Sequence, residues 1–145
     1  MTELSDDVLN KMIKIAQEAQ ENAYAPYSNH PVGAAILSED DMIFGGSNME
    51  TAHYKGICAE GTAISSMASA GKRKIQAVVI TSPGEHICTP CGDCLQRLRE
   101  FSNSETKVYT ATKSGTVERV FDFDELLPYS FGPENIDMDN IHKCK

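Results

Sequence analysis

The sequence of 145 residues lacks an apolar run of about 18 to 20 residues, the length that a membrane-spanning helix requires. Its first residues are acidic and contain no apolar signal core, so we expect a cytoplasmic protein without a membrane partner. Internal repeats, low-complexity segments and linkers are also missing. We therefore predict a single domain over residues 1–145, with a loose polar tail over residues 134–145.

Positive charge is scarce in this chain. The sequence has 13 lysines and arginines against 21 acidic residues, which gives a net charge of -8. The basic residues form no block. Proteins that bind nucleic acids concentrate Lys and Arg, because each contact with a phosphate releases counterions. The composition therefore argues against a nucleic-acid partner and favours a small-molecule ligand.

The cysteine content does not suggest a disulfide framework, because the count of five is odd and no secretion signal precedes it. In a reducing compartment, closely spaced thiols are more often metal ligands or catalytic groups. Three of the five lie in one pattern, in which Cys58-Ala59-Glu60 is followed at a distance by Pro90-Cys91-Gly92-Asp93-Cys94. This pattern is the strongest chemical signal in the chain.

Hydrophobic periodicity and turn residues predict an order of helix, hairpin, helix, strand, helix, strand, strand. The predicted helices cover residues 5–22, 59–70 and 91–101, and the predicted strands cover residues 32–37, 42–47, 75–81, 107–112 and 117–123. Helices that alternate with strands in this way favour an α/β fold. We predict a three-layer α/β/α sandwich with a mixed five-stranded sheet.

Three thiols are placed to bind one metal ion. Cys91 and Cys94 are three residues apart at the start of a predicted helix, which puts both sulfurs on one face, and Cys58 begins another helix. Helix N-termini favour thiolates, and three protein ligands leave the fourth tetrahedral position open, as in catalytic zinc sites. We predict one Zn²⁺ per subunit. Cys88 is an alternative fourth ligand, although its position suits a small apolar residue facing the core.

Glu60 lies two residues after the first thiol, where it is not needed as a ligand and can move protons beside the ion. A glutamate two residues after the first ligand, followed by Pro-Cys-x-x-Cys, is the pattern of zinc deaminases that act on nucleobases. The alternatives are a structural zinc site and a redox-active Cys-x-x-Cys pair.

At these residues the sequence resembles the small cytidine deaminases, homotetrameric zinc enzymes of pyrimidine salvage. The resemblance extends from about residue 23 to residue 133 and includes Ala25-Pro26-Tyr27-Ser28, Asn48-Met49-Glu50 and Leu126-Leu127-Pro128. It implies a cytidine deaminase-like fold and hydrolytic deamination of cytidine and 2'-deoxycytidine, with Glu60 as the catalytic residue. It also implies a homotetramer with shared active sites.

Two other functions remain open. One is the deamination of a modified cytosine nucleoside or of an antibiotic of the blasticidin S type. The other is a zinc-binding module without catalysis. Asn48 and Glu50 favour the nucleoside, because the resemblance assigns them to the binding of ribose.

The resemblance implies further substrate contacts. Tyr54 and Phe131 match aromatic positions that help to form the pocket, partly across subunit boundaries, and the backbone of Ala59 matches a contact with the base. His30 stands where the family commonly has Phe. Its ring either stacks on the substrate like the Phe ring that it replaces, or it changes which bases and exocyclic amine groups the pocket accepts, for instance those of a modified cytidine.

Two positions near the predicted zinc ligands depart from the family. Gly61 and Leu95 stand where arginine is usual, so two positive charges that would offset the thiolates are missing. Arg97, three residues after Cys94, is the candidate to replace them.

Overall fold

The computed structural model describes residues 4–84 and 86–136, in which five strands form one mixed sheet in the order β2-β1-β3-β4-β5. β1 (Gly33–Ser38) pairs antiparallel with β2 (Ile43–Ser47) and with β3 (Ile75–Ser82). β3 is parallel to β4 (Lys107–Thr112), which pairs antiparallel with β5 (Val117–Asp122). The mixed five-stranded sheet is as predicted.

Helices cover both faces of the sheet. α1 (Asp6–Glu21) packs on one face, while α2 (Ala59–Ser69) and α3 (Gly92–Arg99) pack on the other. Alternate residues of β1 face opposite layers, since Ala35 and Leu37 join the α1 core whereas Ala34 and Ile36 join the α2 and α3 core. This confirms the three-layer α/β/α architecture.

The ends of the helices follow from local chemistry. α1 begins after Ser5, whose Oγ accepts a hydrogen bond of 3.4 Å from the Val8 N–H. α2 is followed by Gly71, whose φ of 82° is a conformation that glycine adopts without strain. Two short elements have no periodic signal and were not predicted: α4 (Phe123–Leu126) and a 3₁₀ turn (Pro133–Asn135).

The 3₁₀ turn over Pro133–Asn135 includes the first residues of the segment predicted as a loose tail. Most of the predicted loose tail, residues 137–145 with Cys144, lies outside the described residues. Within the described part of the chain, no helix is long and apolar enough to cross a membrane.

α2 lies very close to β2 at Gly46. A Cβ atom at this position would lie 2.4 Å from the Ala63 nitrogen and 2.5 Å from the Ala59 oxygen. The Thr62 hydroxyl donates a hydrogen bond of 3.0 Å to the Ser47 carbonyl beside this contact. The helix that begins with Ala59 and Glu60 is therefore held at a distance from the sheet that only glycine allows.

We expect Gly46→Ala to destabilise the protein by roughly 1–3 kcal/mol, because the added methyl group meets backbone atoms that cannot rotate away. Urea unfolding measures the change. Gly92→Ala is the matched control, since a Cβ at Gly92 has no atom within 4 Å. Equal stability of the two variants would contradict the close approach of α2 to β2.

Candidate active site

The three thiols predicted to bind zinc lie together. Cys58 is the N-cap of α2, Cys91 is the N-cap of α3, and Cys94 lies in the first turn of α3. Their sulfur atoms all lie within 4.8 Å of one another, and the Cys58 and Cys91 sulfurs are 3.8 Å apart. Two separate helices thus aim their first turns at one point.

The helix ends make this point favourable for anions. The Cys58 and Cys91 side chains form no capping hydrogen bond, so they do not use the free N–H groups of the first turns. Those N–H groups carry the positive end of each helix dipole. The local backbone therefore favours thiolates at both N-caps.

The side chains of the cluster need a cation for full ionisation. Burial raises the pKa of Cys58 and of Cys94, and the nearby charge of Glu60 raises the pKa of Cys94 further. Several negative charges this close together repel one another in a poorly hydrated space. A divalent ion offsets that repulsion, and a set of three thiolates suits zinc. The residues therefore fit one zinc ion.

Glu60 lies beside the thiol cluster in the first turn of α2. Its side chain is buried, with 4% exposed, and lies near the Cys94 thiol. Burial raises the pKa of the Glu60 carboxyl. A buried carboxyl of this kind, next to a metal-binding cluster, is suited to accept and return protons.

The cluster borders a cavity of about 410 Å³, which we call the main cavity. This volume is within the range of small-molecule sites. The main cavity brings together most of the predicted site residues, namely Cys58, Cys91, Glu60, Ala59, Asn48, Glu50 and His30. Cys94, Tyr54 and Phe131 do not line it.

Asn48 and Glu50 brace the loop opposite the thiol cluster. The Asn48 Oδ1 accepts a hydrogen bond of 2.8 Å from the Val32 N–H, and its Nδ2 donates one of 3.0 Å to the His30 carbonyl. The Glu50 Oε1 accepts from the Tyr27 and Ser28 N–H groups at 2.9 and 3.0 Å. The two side chains thus fix the shape of residues 27–32.

The same contacts keep Glu50 ionised. Hydrogen bonds from the side chain and backbone of Ser28 and from the Tyr27 N–H hold the pKa of the Glu50 carboxyl below its usual range. The depressed pKa means that the bracing is present at neutral pH and is lost only when the pH falls through the lowered value. Glu50 therefore presents a carboxylate to the main cavity.

Tyr54 lies in a second cavity of about 420 Å³, which adjoins the main cavity and shares Ser28, Asn48, Glu50 and Cys58 with it. The Tyr54 ring packs edge-on against Tyr27, with ring centroids 5.9 Å apart. It is 84% exposed.

Phe131 lies away from both cavities. Its carbonyl accepts a hydrogen bond of 3.0 Å from Gln96 Nε2, and Arg99 Nε donates one of 2.9 Å to the neighbouring Ser130 hydroxyl. These contacts fasten the segment to α3. The Phe131 side chain remains 59% exposed.

The prediction that Cys88 faces the core is wrong. Cys88 is half-buried and lines the main cavity, with its sulfur 4.0 Å from His30 Nε2. It lies outside the thiol cluster formed by the other three cysteines of the described chain. Periodicity indicates facing only within helices and strands, and Cys88 is in a loop. The signal that could have located it is its place just before the Pro90-Cys91 motif.

The space beside Gly61 is partly filled by Arg97. A Cβ at Gly61 would lie 3.4 Å from the Arg97 Nη1, which pairs at 2.8 Å with Asp93 in the first turn of α3. Leu95 is buried in the core between α2, α3 and the sheet. Arg97 therefore brings a positive charge beside the position where the family usually has arginine.

The chain is similar to known proteins over most of its length. Residues 6–111 match the family model of the cytidine and deoxycytidylate deaminase zinc-binding region. A cytidine deaminase of Sporosarcina psychrophila is 38% identical over 129 residues, which are 88% of this chain and 94% of that protein. A cytidine deaminase of Halalkalibacterium halodurans is 38% identical over 127 residues, with 86% and 95% covered.

Solved structures agree with the sequence matches. The crystal structure of cytidine deaminase from Burkholderia pseudomallei superimposes with a TM-score of 0.79 at 36% identity, covering 88% of this chain and 100% of that chain. The structure of cytidine deaminase from Mycobacterium tuberculosis gives a TM-score of 0.73 at 31% identity, with 89% and 99% covered. The similarity thus extends over nearly the whole fold.

Proposed function

This chain belongs to the cytidine and deoxycytidylate deaminase family, and from that premise we propose that it deaminates cytidine and 2'-deoxycytidine by zinc-dependent hydrolysis. The products are uridine or 2'-deoxyuridine and ammonia. The observation that carries the proposal is the meeting of the thiol cluster, the buried Glu60 and the Asn48–Glu50 pair around one cavity of nucleoside size.

Cys58, Cys91 and Cys94 would hold the zinc ion, one per subunit. Bound there, zinc supplies a Lewis acid that makes water nucleophilic near neutral pH. Glu60 accepts one proton from the water that attacks C4 of the base and passes it to N3. It then accepts the remaining proton of the new C4 hydroxyl and passes it to the amine, so that the C4–N bond breaks, ammonia leaves and the C4 carbonyl forms. The burial of Glu60 keeps bulk water from competing for those protons.

The loop opposite the cluster orients the sugar. Glu50 and Asn48 bind the ribose hydroxyls, and the Ala59 backbone contacts the base. A carboxylate has about four acceptor positions, so Glu50 can accept from a hydroxyl in addition to the N–H groups of the loop. The hydrogen bonds that brace residues 27–32 hold this part of the site in shape before the substrate enters.

Charge favours the nucleoside over the nucleotide deoxycytidylate. Among the residues that the structure describes, no Lys or Arg lines either cavity, and both cavities contain Glu50. A substrate phosphate would therefore meet a carboxylate without a compensating cation. A panel of cytidine, 2'-deoxycytidine, cytosine and deoxycytidylate, followed by the loss of cytosine absorbance, tests this choice. We expect turnover of the two nucleosides, and turnover of deoxycytidylate alone would contradict it.

A homotetramer with shared active sites is part of the proposal. Phe131 is exposed on a segment fastened to α3 and away from the main cavity of its own chain, so its ring is available to a neighbouring copy. Exposed tyrosines such as Tyr24, Tyr27 and Tyr54 offer further apolar surface near the cavities. We place the enzyme in the cytoplasm and in pyrimidine salvage.

We expect His30→Phe to change the relative kcat/KM of cytidine and N4-substituted cytidines by about tenfold. His30 borders the main cavity and offers a ring nitrogen, which Phe lacks, to a group on the base. His53→Phe is the control, because His53 is an exposed histidine that lines neither cavity. An unchanged ranking of cytidine, 2'-deoxycytidine and their N4-substituted analogues would show that the His30 ring acts only by stacking.

A further inference from the structure

We infer that His30 and Cys88 form a second, inhibitory site for zinc or a similar soft divalent cation in the main cavity. The His30 Nε2 and the Cys88 sulfur are 4.0 Å apart and both line this cavity. Imidazole nitrogen and thiolate are the two ligands that zinc most often takes in proteins.

The distance between the two donors suits a shared ion. Zinc lies about 2.3 Å from sulfur and about 2.0 Å from imidazole nitrogen, so two such ligands on a tetrahedral ion are roughly 3.6 Å apart. A small rotation of either side chain closes the difference from 4.0 Å. Water completes the coordination from the cavity.

The histidine is held in place before any ion arrives. Its N–H donates a hydrogen bond of 3.1 Å to the Ser28 hydroxyl, and its carbonyl accepts one of 3.0 Å from Asn48. The backbone of His30 is thus fixed on both sides, which lowers the entropy cost of binding an ion. The Glu50 carboxylate borders the same cavity and adds a negative charge that attracts a cation.

An ion at this second site excludes the substrate. His30 and Cys88 line the same cavity of about 410 Å³ as the Asn48–Glu50 pair and Glu60, so a hydrated ion there takes part of the space that a nucleoside needs. Excess zinc should therefore raise the apparent KM for cytidine. This kinetic effect rests on the proposed function, whereas the binding of the ion does not.

Counting bound zinc tests the site directly. The protein carries Cys144→Ser, which removes a thiol outside the described residues, and is dialysed against excess zinc before elemental analysis. We expect two equivalents per chain in this background and in its His53→Phe control. With His30→Phe or Cys88→Ser added, we expect one. The affinity for the second ion should fall by roughly 100-fold, since the second donor acts intramolecularly once the first is bound.

Alkylation provides a second readout. Excess zinc should protect Cys88 from iodoacetamide, as seen by peptide mass spectrometry, and His30→Phe should remove the protection. If the Cys144→Ser protein, which keeps both His30 and Cys88, binds only one equivalent of zinc per chain, the inference is overturned. Two equivalents of zinc bound by both the His30→Phe and the Cys88→Ser variant would also overturn it, because the second ion would then lie elsewhere. Neither result bears on the ion held by Cys58, Cys91 and Cys94.

Discussion

Glu60→Gln is expected to abolish measurable turnover of cytidine while the protein keeps one zinc ion per chain. Glutamine has nearly the same shape as glutamate but can neither accept nor return a proton at neutral pH. General acid–base catalysis contributes about 10² to 10⁴ in rate, and Glu60 serves several proton transfers in the proposed reaction, so the loss should be at the upper end. Steady-state kinetics and elemental analysis of the same sample measure both quantities.

Glu50→Gln is the matched control for this substitution. Glu50 lines the same cavity, but its carboxylate binds the loop and, in the proposed function, contacts the sugar rather than the reacting atoms. We expect it to raise KM much more than it lowers kcat. If Glu60→Gln still turns over cytidine, Glu60 is not the residue that carries the protons. Loss of zinc from Glu60→Gln would instead show that Glu60 supports the metal centre.

Cys94→Ser is expected to remove the zinc ion and to lower kcat/KM by roughly 10³-fold or more. Cys94 is fully buried and lies within 4.8 Å of the other two sulfurs, so no neighbouring side chain of the described chain is placed to replace it in the cluster. Lewis-acid stabilisation is worth several kcal/mol, and each 1.36 kcal/mol is a factor of ten in rate. Elemental analysis measures the zinc content of the variant, and steady-state kinetics measure its kcat/KM.

The same substitution should change how the protein responds to a chelator. A ligand that binds only the folded state stabilises it, so removal of zinc should lower the Tm of the wild-type protein. The Tm of Cys94→Ser should be insensitive to the chelator. Cys88→Ser makes the same chemical change outside the cluster and should keep both the chelator-sensitive Tm and the first zinc ion. A normal zinc content in Cys94→Ser would contradict the assignment of the ligands.

The parts of the fold that could be predicted from the sequence are those governed by local periodicity. The bounds of β4 agree with the prediction. α1 and β1 differ from their predicted bounds by one residue at both ends, and α2, β2, β3 and β5 differ by one residue at one end. α3 begins one residue later than predicted, because Cys91 is its N-cap, and ends two residues earlier, at Arg99, where the chain turns toward β4. α4 has only one turn, which is too short for a periodic signal.

The residues of the candidate site also fall into those that local sequence spacing predicts and those that depend on contacts between distant segments. Cys58, Cys91 and Cys94 were predictable because each lies at or just after a helix start, where short sequence spacing determines direction. The prediction that Cys88 faces the core is wrong because its neighbour across the cavity, His30, is 58 residues away in the sequence. No local pattern reports a contact between two loops.

The bracing by Asn48 and Glu50 also depends on distant contacts. Their hydrogen bonds go to backbone groups of residues 27–32, which lie between the helix predicted over residues 5–22 and the strand predicted from residue 32. The resemblance to a family suggested a role in binding ribose, and the structure adds a role in shaping the loop. Both roles are compatible, because each side chain has more hydrogen-bonding positions than the loop uses.

The most direct test of the proposed function is a count of products made by the purified protein loaded with one zinc ion per chain. Cytidine is added, and ammonia, uridine and the remaining substrate are measured together over time. We predict one ammonia and one uridine for each cytidine consumed, at a rate that disappears in Glu60→Gln. A zinc-loaded protein that binds cytidine but releases no ammonia would contradict the assignment of the site as a deaminase.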